Sequence, residues 1–151
     1  MSRRPANVAR HEPGGGGGAV PEYGGQRYPV VCPYVYYEDG PGALDFLTNA
    51  FGFRERVRDM RPDGTMGHAE MEVGEAVIML GCPPGHRSPS RLGQVGGGVY
   101  VHVDDVDGHC ARARGAGAQV QGDPRDMPYG VRTYGALDPE GNQWWFSQPI
   151  G

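Results

Sequence analysis

The chain has 151 residues, a net charge of −4, 27 glycines and 14 prolines. That length holds one domain or two small fused modules, but not a core plus a large separate domain. The mild acidity argues against a nucleic-acid backbone partner, which a basic face would mark, and no apolar run reaches the roughly 18 residues of a membrane span.

Three cysteines, Cys32, Cys82 and Cys110, stand without paired spacing. No disulfide framework or zinc ribbon is indicated, and a reducing cytoplasm is the expected compartment. Two arginines near the N-terminus precede no apolar stretch, so no signal peptide is expected.

Residues 1–27 are rich in Arg, Pro and Gly, including Gly14 to Gly18. Such a segment buries too little apolar surface to offset its ordering entropy, which predicts a disordered tail. A domain is then expected over 28–149, with module one at 28–81, a linker at 82–96 and module two at 97–149. Val30 to Tyr37 reads as a strand. Pro41 suits the first turn of a helix, and Ala43, Leu44, Leu47, Ala50 and Phe51 form one apolar stripe. Phe53 to Met60 and Met66 to Val73 read as strands around an Asp63-Gly64 turn, and Ala76 to Leu80 as a fourth. The linker carries Pro83, Pro84 and Pro89 and reads as a connector or a lid over a site. Val99 to Val103 alternates Val with Tyr100 and His102, the period of a half-buried strand. Val106 to Arg114 reads as a helix, with His109 expected outside and Cys110 packed inward. Ala118 to Gln121 reads as a strand, Pro124 to Gly130 as a loop, and Val131 to Leu137 and Gln143 to Ser147 as the last strands.

The same order of elements thus occurs twice, about 65 residues apart. Helices must cover the greasier face of each sheet. That assigns Val31, Val35, Ala69, Met71, Ile78, Leu80, Val101, Trp144 and Phe146 to the helix side. The opposite face collects Cys32, Tyr34, Tyr36, His68, Glu70, Met79, Gly98, Tyr100, His102, Arg132, Tyr134, Gln143 and Trp145. An aromatic face with a few polar groups suits a small molecule.

The two βαβββ modules, the helix Leu44-Asp45-Phe46-Leu47 running to Phe51-Gly52-Phe53, the turn Val103-Asp104-Asp105-Val106 and the Asp138-Pro139-Glu140-Gly141-Asn142 turn resemble the vicinal oxygen chelate superfamily. Glyoxalases, bleomycin resistance proteins, fosfomycin resistance enzymes and extradiol dioxygenases belong to it. The resemblance covers about residues 28–149. It implies an α+β fold: two βαβββ modules in a curved mixed-sheet cup with helices on the outer face. It also implies frequent homodimers. The family's metal positions fall on Cys32, Met79, Gly98 and Trp145. Met79 and Gly98 supply no hard ligand and Trp145 no lone pair, so the resemblance points to the metal-free branch, with no cofactor.

The expected function is therefore metal-independent binding of a small, partly aromatic or cationic compound, by an antibiotic-sequestering type of protein. Tyr34, Tyr36, Met79, Tyr100, His102, Tyr134, Gln143 and Trp145 would line the site. The alternative is a lyase, isomerase or hydrolase using His102, His68 and Glu70 as acid and base. A metal-dependent glyoxalase or dioxygenase comes third. His102 also reads as a plain pocket wall, and His68 with Glu70 as a solvated rim.

Overall fold

The computed structural model describes residues 21–151; the expectation for residues 1–20 lies outside that range. Strands β1 (Glu22–Tyr23) and β2 (Gln26–Arg27) form a hairpin. Its turn runs through Gly24 and Gly25, both at positive φ, where a residue without Cβ meets no steric penalty. Residues 21–27 are thus an ordered arm, which corrects the tail expected there. Two tyrosines reverse the expectation: the rings of Tyr23 and Tyr28 stack with centroids 4.0 Å apart, burial that average composition does not reveal.

Module one follows the expected order: β3 (Tyr34–Tyr36), α1 (Gly40–Phe51), β4 (Arg54–Met60), β5 (Met66–Val73) and β6 (Ala76–Gly81). The sheet order is β3-β6-β5-β4, with β3 parallel to β6 and the other pairs antiparallel. The first strand is shorter than expected. Pro33 has no N–H for the ladder, and Val31, placed inward from the sequence, is 78% exposed. Helix α1 starts where the sequence suggests: Asp39 caps it by accepting from the Gly42 N–H at 3.0 Å. It stops at Gly52, which is left-handed at φ 76°.

The linker contains a single helical turn, α2 (Pro89–Leu92). Module two repeats the plan with β7 (Gly98–His102), α3 (Val106–Gly115), β8 (Gln119–Val120), β9 (Arg125–Met127), β10 (Val131–Leu137) and β11 (Gln143–Pro149). Its order is β7-β11-β10-β8, with β7 parallel to β11, and β9 pairs with the other half of the β10 edge. Strand β9 replaces part of the expected 124–130 loop. The architecture is the α+β, twice-used βαβββ fold.

The two sheets share no ladder. They share a core. Phe51 at the end of α1 packs its ring 5.5 Å from Trp144 and 4.7 Å from Phe146 on β11. Leu44, Leu47, Met71, Ile78, Leu80, Val106 and Cys110 belong to the same buried cluster. Each sheet therefore spends its helix-covered face on the other module, and the two opposite faces are left open. The Asp138–Asn142 turn staples the modules together. Asp138 is buried and accepts from the Tyr37 hydroxyl at 2.7 Å and from the Trp144 indole at 3.1 Å. Glu140 accepts from the Glu38 and Asp39 backbone N–H groups, at 2.6 and 2.9 Å.

Tyr134 and Arg132 lie on the helix side, which corrects their placement in the cavity. Residues directly opposite in an antiparallel pair share a face, and Tyr134 stands opposite Phe146. Tyr134 is buried, stacks on Phe146 and donates its hydroxyl to His109 Nδ1 at 2.6 Å. Arg132 reaches Asp107 on α3 and Asp126 on β9. His109 is half-buried and not outside as expected. Its Nε2 lies 3.0 Å from the Phe51 carbonyl.

Candidate functional site

On module one the open face is built by three neighbouring strands. Tyr34 of β3 stands beside Met79 of β6, and Met79 beside Glu70 of β5. His68 lies opposite Gly81, and that glycine has a purpose. A Cβ on it would meet the Tyr34 ring at 2.8 Å, so the missing side chain lets the ring lie across the sheet.

These residues form a chain of contacts. The Tyr34 hydroxyl is 2.8 Å from His68 Nδ1, and His68 Nε2 is 3.7 Å from Glu70 Oε1. The Glu70 carboxylate is only 2% exposed. Such a group needs partners, and it has two that sequence reading missed. The Tyr28 hydroxyl donates to Oε1 at 2.6 Å, and Arg56 Nη2 stands 3.4 Å from Oε2. The Arg56 guanidinium also sits over the Tyr28 ring, 4.6 Å from its centroid. The hydrogen bond to Glu70, then burial, pushes the Tyr28 phenol up to about 12. Burial raises the Tyr34 phenol and the Cys32 thiol as well, so both keep their protons at neutral pH. The signal that could have found Tyr28 is two tyrosines standing alone in a glycine-rich segment. For Arg56 there was none, because a β-bulge between Glu55 and Val57 shifts the alternation there.

On module two the open face carries Gly98, Tyr100 and His102 of β7 beside Gln143, Trp145 and Ser147 of β11. Trp145 is 40% exposed and Tyr100 48%. Trp145 lies across Gly135, its direct partner on β10, where a Cβ would meet the indole at 2.6 Å. His102 is exposed, its ring 5.4 Å from that of Tyr100. The structure thus joins His68 and Glu70 and leaves His102 on the other sheet.

Between the modules the edge strands β3 and β7 flank a cleft of about 560 Å³. Tyr34, Tyr36, Val99, Gln143 and linker residues His86 and Leu92 line it. Of the expected ligand-binding set, this cleft brings Tyr34, Tyr36 and Gln143 together.

The sequence profile of the Glyoxalase/Bleomycin resistance protein/Dioxygenase superfamily matches residues 30–146. The chain belongs to this superfamily. Among solved structures it is similar to TioX from Micromonospora sp. ML1, at 33% identity over 80% of this chain and 99% of that one, with a TM-score of 0.63. A superfamily member from Sphaerobacter thermophilus is 26% identical over 78% of this chain and 96% of its own, with a TM-score of 0.61. An uncharacterized protein of Mycobacterium tuberculosis is 31% identical over 128 residues, 81% of this chain and 75% of its own.

The resemblance puts the superfamily's metal positions at Cys32, Met79, Gly98 and Trp145. Cys32 lies 3.5 Å from the Pro29 carbonyl and is the one ordinary metal donor among the four. A thioether, a bare backbone and an indole complete the set, and such donors do not fit a hard divalent ion. Among the described residues no group of three or more His, Cys, Asp or Glu side chains is placed to hold a metal.

Proposed function

We propose that the chain is a metal-independent small-molecule-binding protein whose site is completed by a second copy of itself. The observation that carries this reading is the pair of open faces. Tyr34, Tyr36, Tyr100 and Trp145 are each 40% to 50% exposed, while the helix-covered faces are used up in the shared core. Flat rings on an exposed sheet offer contact area to a planar aromatic or cationic compound. Each open face is half a cup, and an open face of module one placed against that of module two from another chain would enclose a ligand. The donor chemistry at Cys32, Met79, Gly98 and Trp145 favours binding without a metal. The three thiols stand free, which favours a reducing cytoplasm.

The test is calorimetric titration of the purified protein with a panel of planar aromatic and cationic antibiotics and metabolites, with light scattering to give the mass. A dimer that binds one class of compound, with no loss after exhaustive chelation, is the expected result. A monomer, no binding across the panel, or binding restored only by added metal would overturn the reading.

A second reading rests on the run Tyr34–His68–Glu70. A buried carboxylate, an imidazole and a phenol in sequence can orient a proton donor toward a substrate. Turnover of an oxygenated substrate that is lost in His68→Ala and unchanged in His102→Ala would favour this enzyme reading over simple binding.

A further inference from the structure

The arm, residues 21–27 with Tyr28 at its end, has one deeply placed contact with module one. Tyr28 is only 5% exposed and its hydroxyl ends on a carboxylate buried in the open face of module one. Its ring is sandwiched: the Arg56 guanidinium covers one side at 4.6 Å and Tyr23 stacks with it at 4.0 Å. An acceptor at the hydroxyl end, a cation on one ring face and an aromatic ring on the other are the parts of a recognition site for a phenol. The occupant here is the chain's own side chain.

The arm itself is held weakly. Strands β1 and β2 pair only with each other. Among the described residues, residues 21–28 are tied to module one by polar bonds only through Tyr28 and through the Arg27 carbonyl, which accepts from Arg56 Nη1 at 3.1 Å. The fit is also incomplete. Arg56 Nε is buried without a hydrogen-bond partner among the described residues, and such a group lowers stability. The site walls, by contrast, lie on the ladder of β4, β5 and β6. A rigid site filled imperfectly by a lightly tethered segment is built for exchange of its occupant.

We propose that Tyr28 is a built-in occupant of a phenol-binding site formed by Glu70 and Arg56, and that a phenolic aromatic compound takes its place when the arm lifts away. The location rests on the small-molecule reading above, while the ligand class rests on Tyr28 alone. The free ligand would donate its hydroxyl to Glu70, lay its ring under Arg56 and displace Tyr23 with Tyr28. A phenol carrying a neighbouring acceptor would also satisfy Arg56 Nε, and should bind better than one without.

The probe is p-cresol, the free side chain of tyrosine, with toluene as the same ring lacking the hydroxyl. Full-length Tyr28→Ala should bind p-cresol at least 10-fold more tightly than the unmodified chain and at least 10-fold more tightly than toluene. Glu70→Gln in that background should narrow the p-cresol preference to a few-fold. In the unmodified chain, saturating p-cresol should abolish the protection of the Arg27–Tyr28 bond from trypsin, because lifting the arm frees the Arg27 carbonyl from Arg56. Equal affinity for p-cresol and toluene would mean a mere cavity and overturn the proposal, as would binding that leaves the arm protected. If Tyr28→Ala does not fold, Tyr28→Phe keeps the ring and removes the donor, and its arm must lose protection at least 10-fold. Panel ligands that bind with the arm unmoved would sink this inference and spare the binding reading. A p-cresol site in a protein that binds nothing in the panel would do the reverse.

Discussion

Asp138 takes bonds from both modules at once. One oxygen accepts from Tyr37 and Trp144, and the other from the backbone N–H groups of Glu140 and Asn142, each at 3.0 Å. Asp138→Ala strands two buried donors at the centre of the molecule, and a loss of about 3–5 kcal/mol is expected by urea denaturation. Asp138→Asn keeps one acceptor and should cost less. His109 makes a second test at the same scale. Its neutral ring bridges Tyr134 and the Phe51 carbonyl. Burial, with Arg112 nearby, holds its pKa below the ordinary 6.5. A base whose folded pKa is depressed is protonated more readily in the unfolded chain. Its contribution is therefore complete above about pH 6.5 and is lost as pH falls toward the lowered value. His109→Gln should lower Tm at about pH 7.5, and the further drop on going to about pH 5 should be smaller than in the unmodified chain.

At the scale of elements, the aromatic rings of the open faces depend on glycines across the ladder. Gly135→Ala would push a methyl group into the Trp145 ring and also against the Gln121 side-chain Oε1, 2.6 Å from the ideal position. Trp145 then leaves the sheet. Its fluorescence should move to longer wavelength with a stability loss of about 1–3 kcal/mol, and Trp145→Phe should remove the shift, because Trp144 is buried in the core. The helices were legible because caps and stripes coincide: Asp39, Pro41 and Gly52 bound α1, and Asp105 caps α3 by accepting from Gly108 N–H. Strands β5 and β10 were legible in extent. The phase of β10 was not, since Thr133, Gly135 and Ala136 are small and buried on both faces, so the pattern does not say which side Tyr134 takes. The Thr133 hydroxyl is buried because it is used, at 2.7 Å from Ser147 and 2.9 Å from the Phe146 carbonyl. Alternation put His68 and Glu70 on one face of β5, but the solvated rim expected there is corrected for Glu70, which is buried against Tyr28 and Arg56. Tyr28 and Arg56 escaped because contacts over 42 and 14 residues leave no local period.

At the scale of the whole molecule, the balance between used and unused surface decides the argument. Both helix-covered faces contribute to one core, which leaves the two opposite sheet faces open and a cleft between the edges of β3 and β7. Exposed rings gathered on a sheet are costly to leave in water and mark contact surfaces. If they meet a second copy, a charge placed among them should separate the chains without unfolding them. Tyr100→Lys is the test. Its ring is 48% exposed in the single chain and the aromatic contact it makes is to His102 on its own strand, so Tm in dilute protein should move little. The mass by light scattering should fall from about twice the 16.2 kDa of the chain to that of one chain, and affinity for aromatic ligands should fall with it at least 10-fold. A variant that stays dimeric and binds as before would place the partner surface elsewhere, because a desolvated lysine in that aromatic layer would oppose association by several kcal/mol.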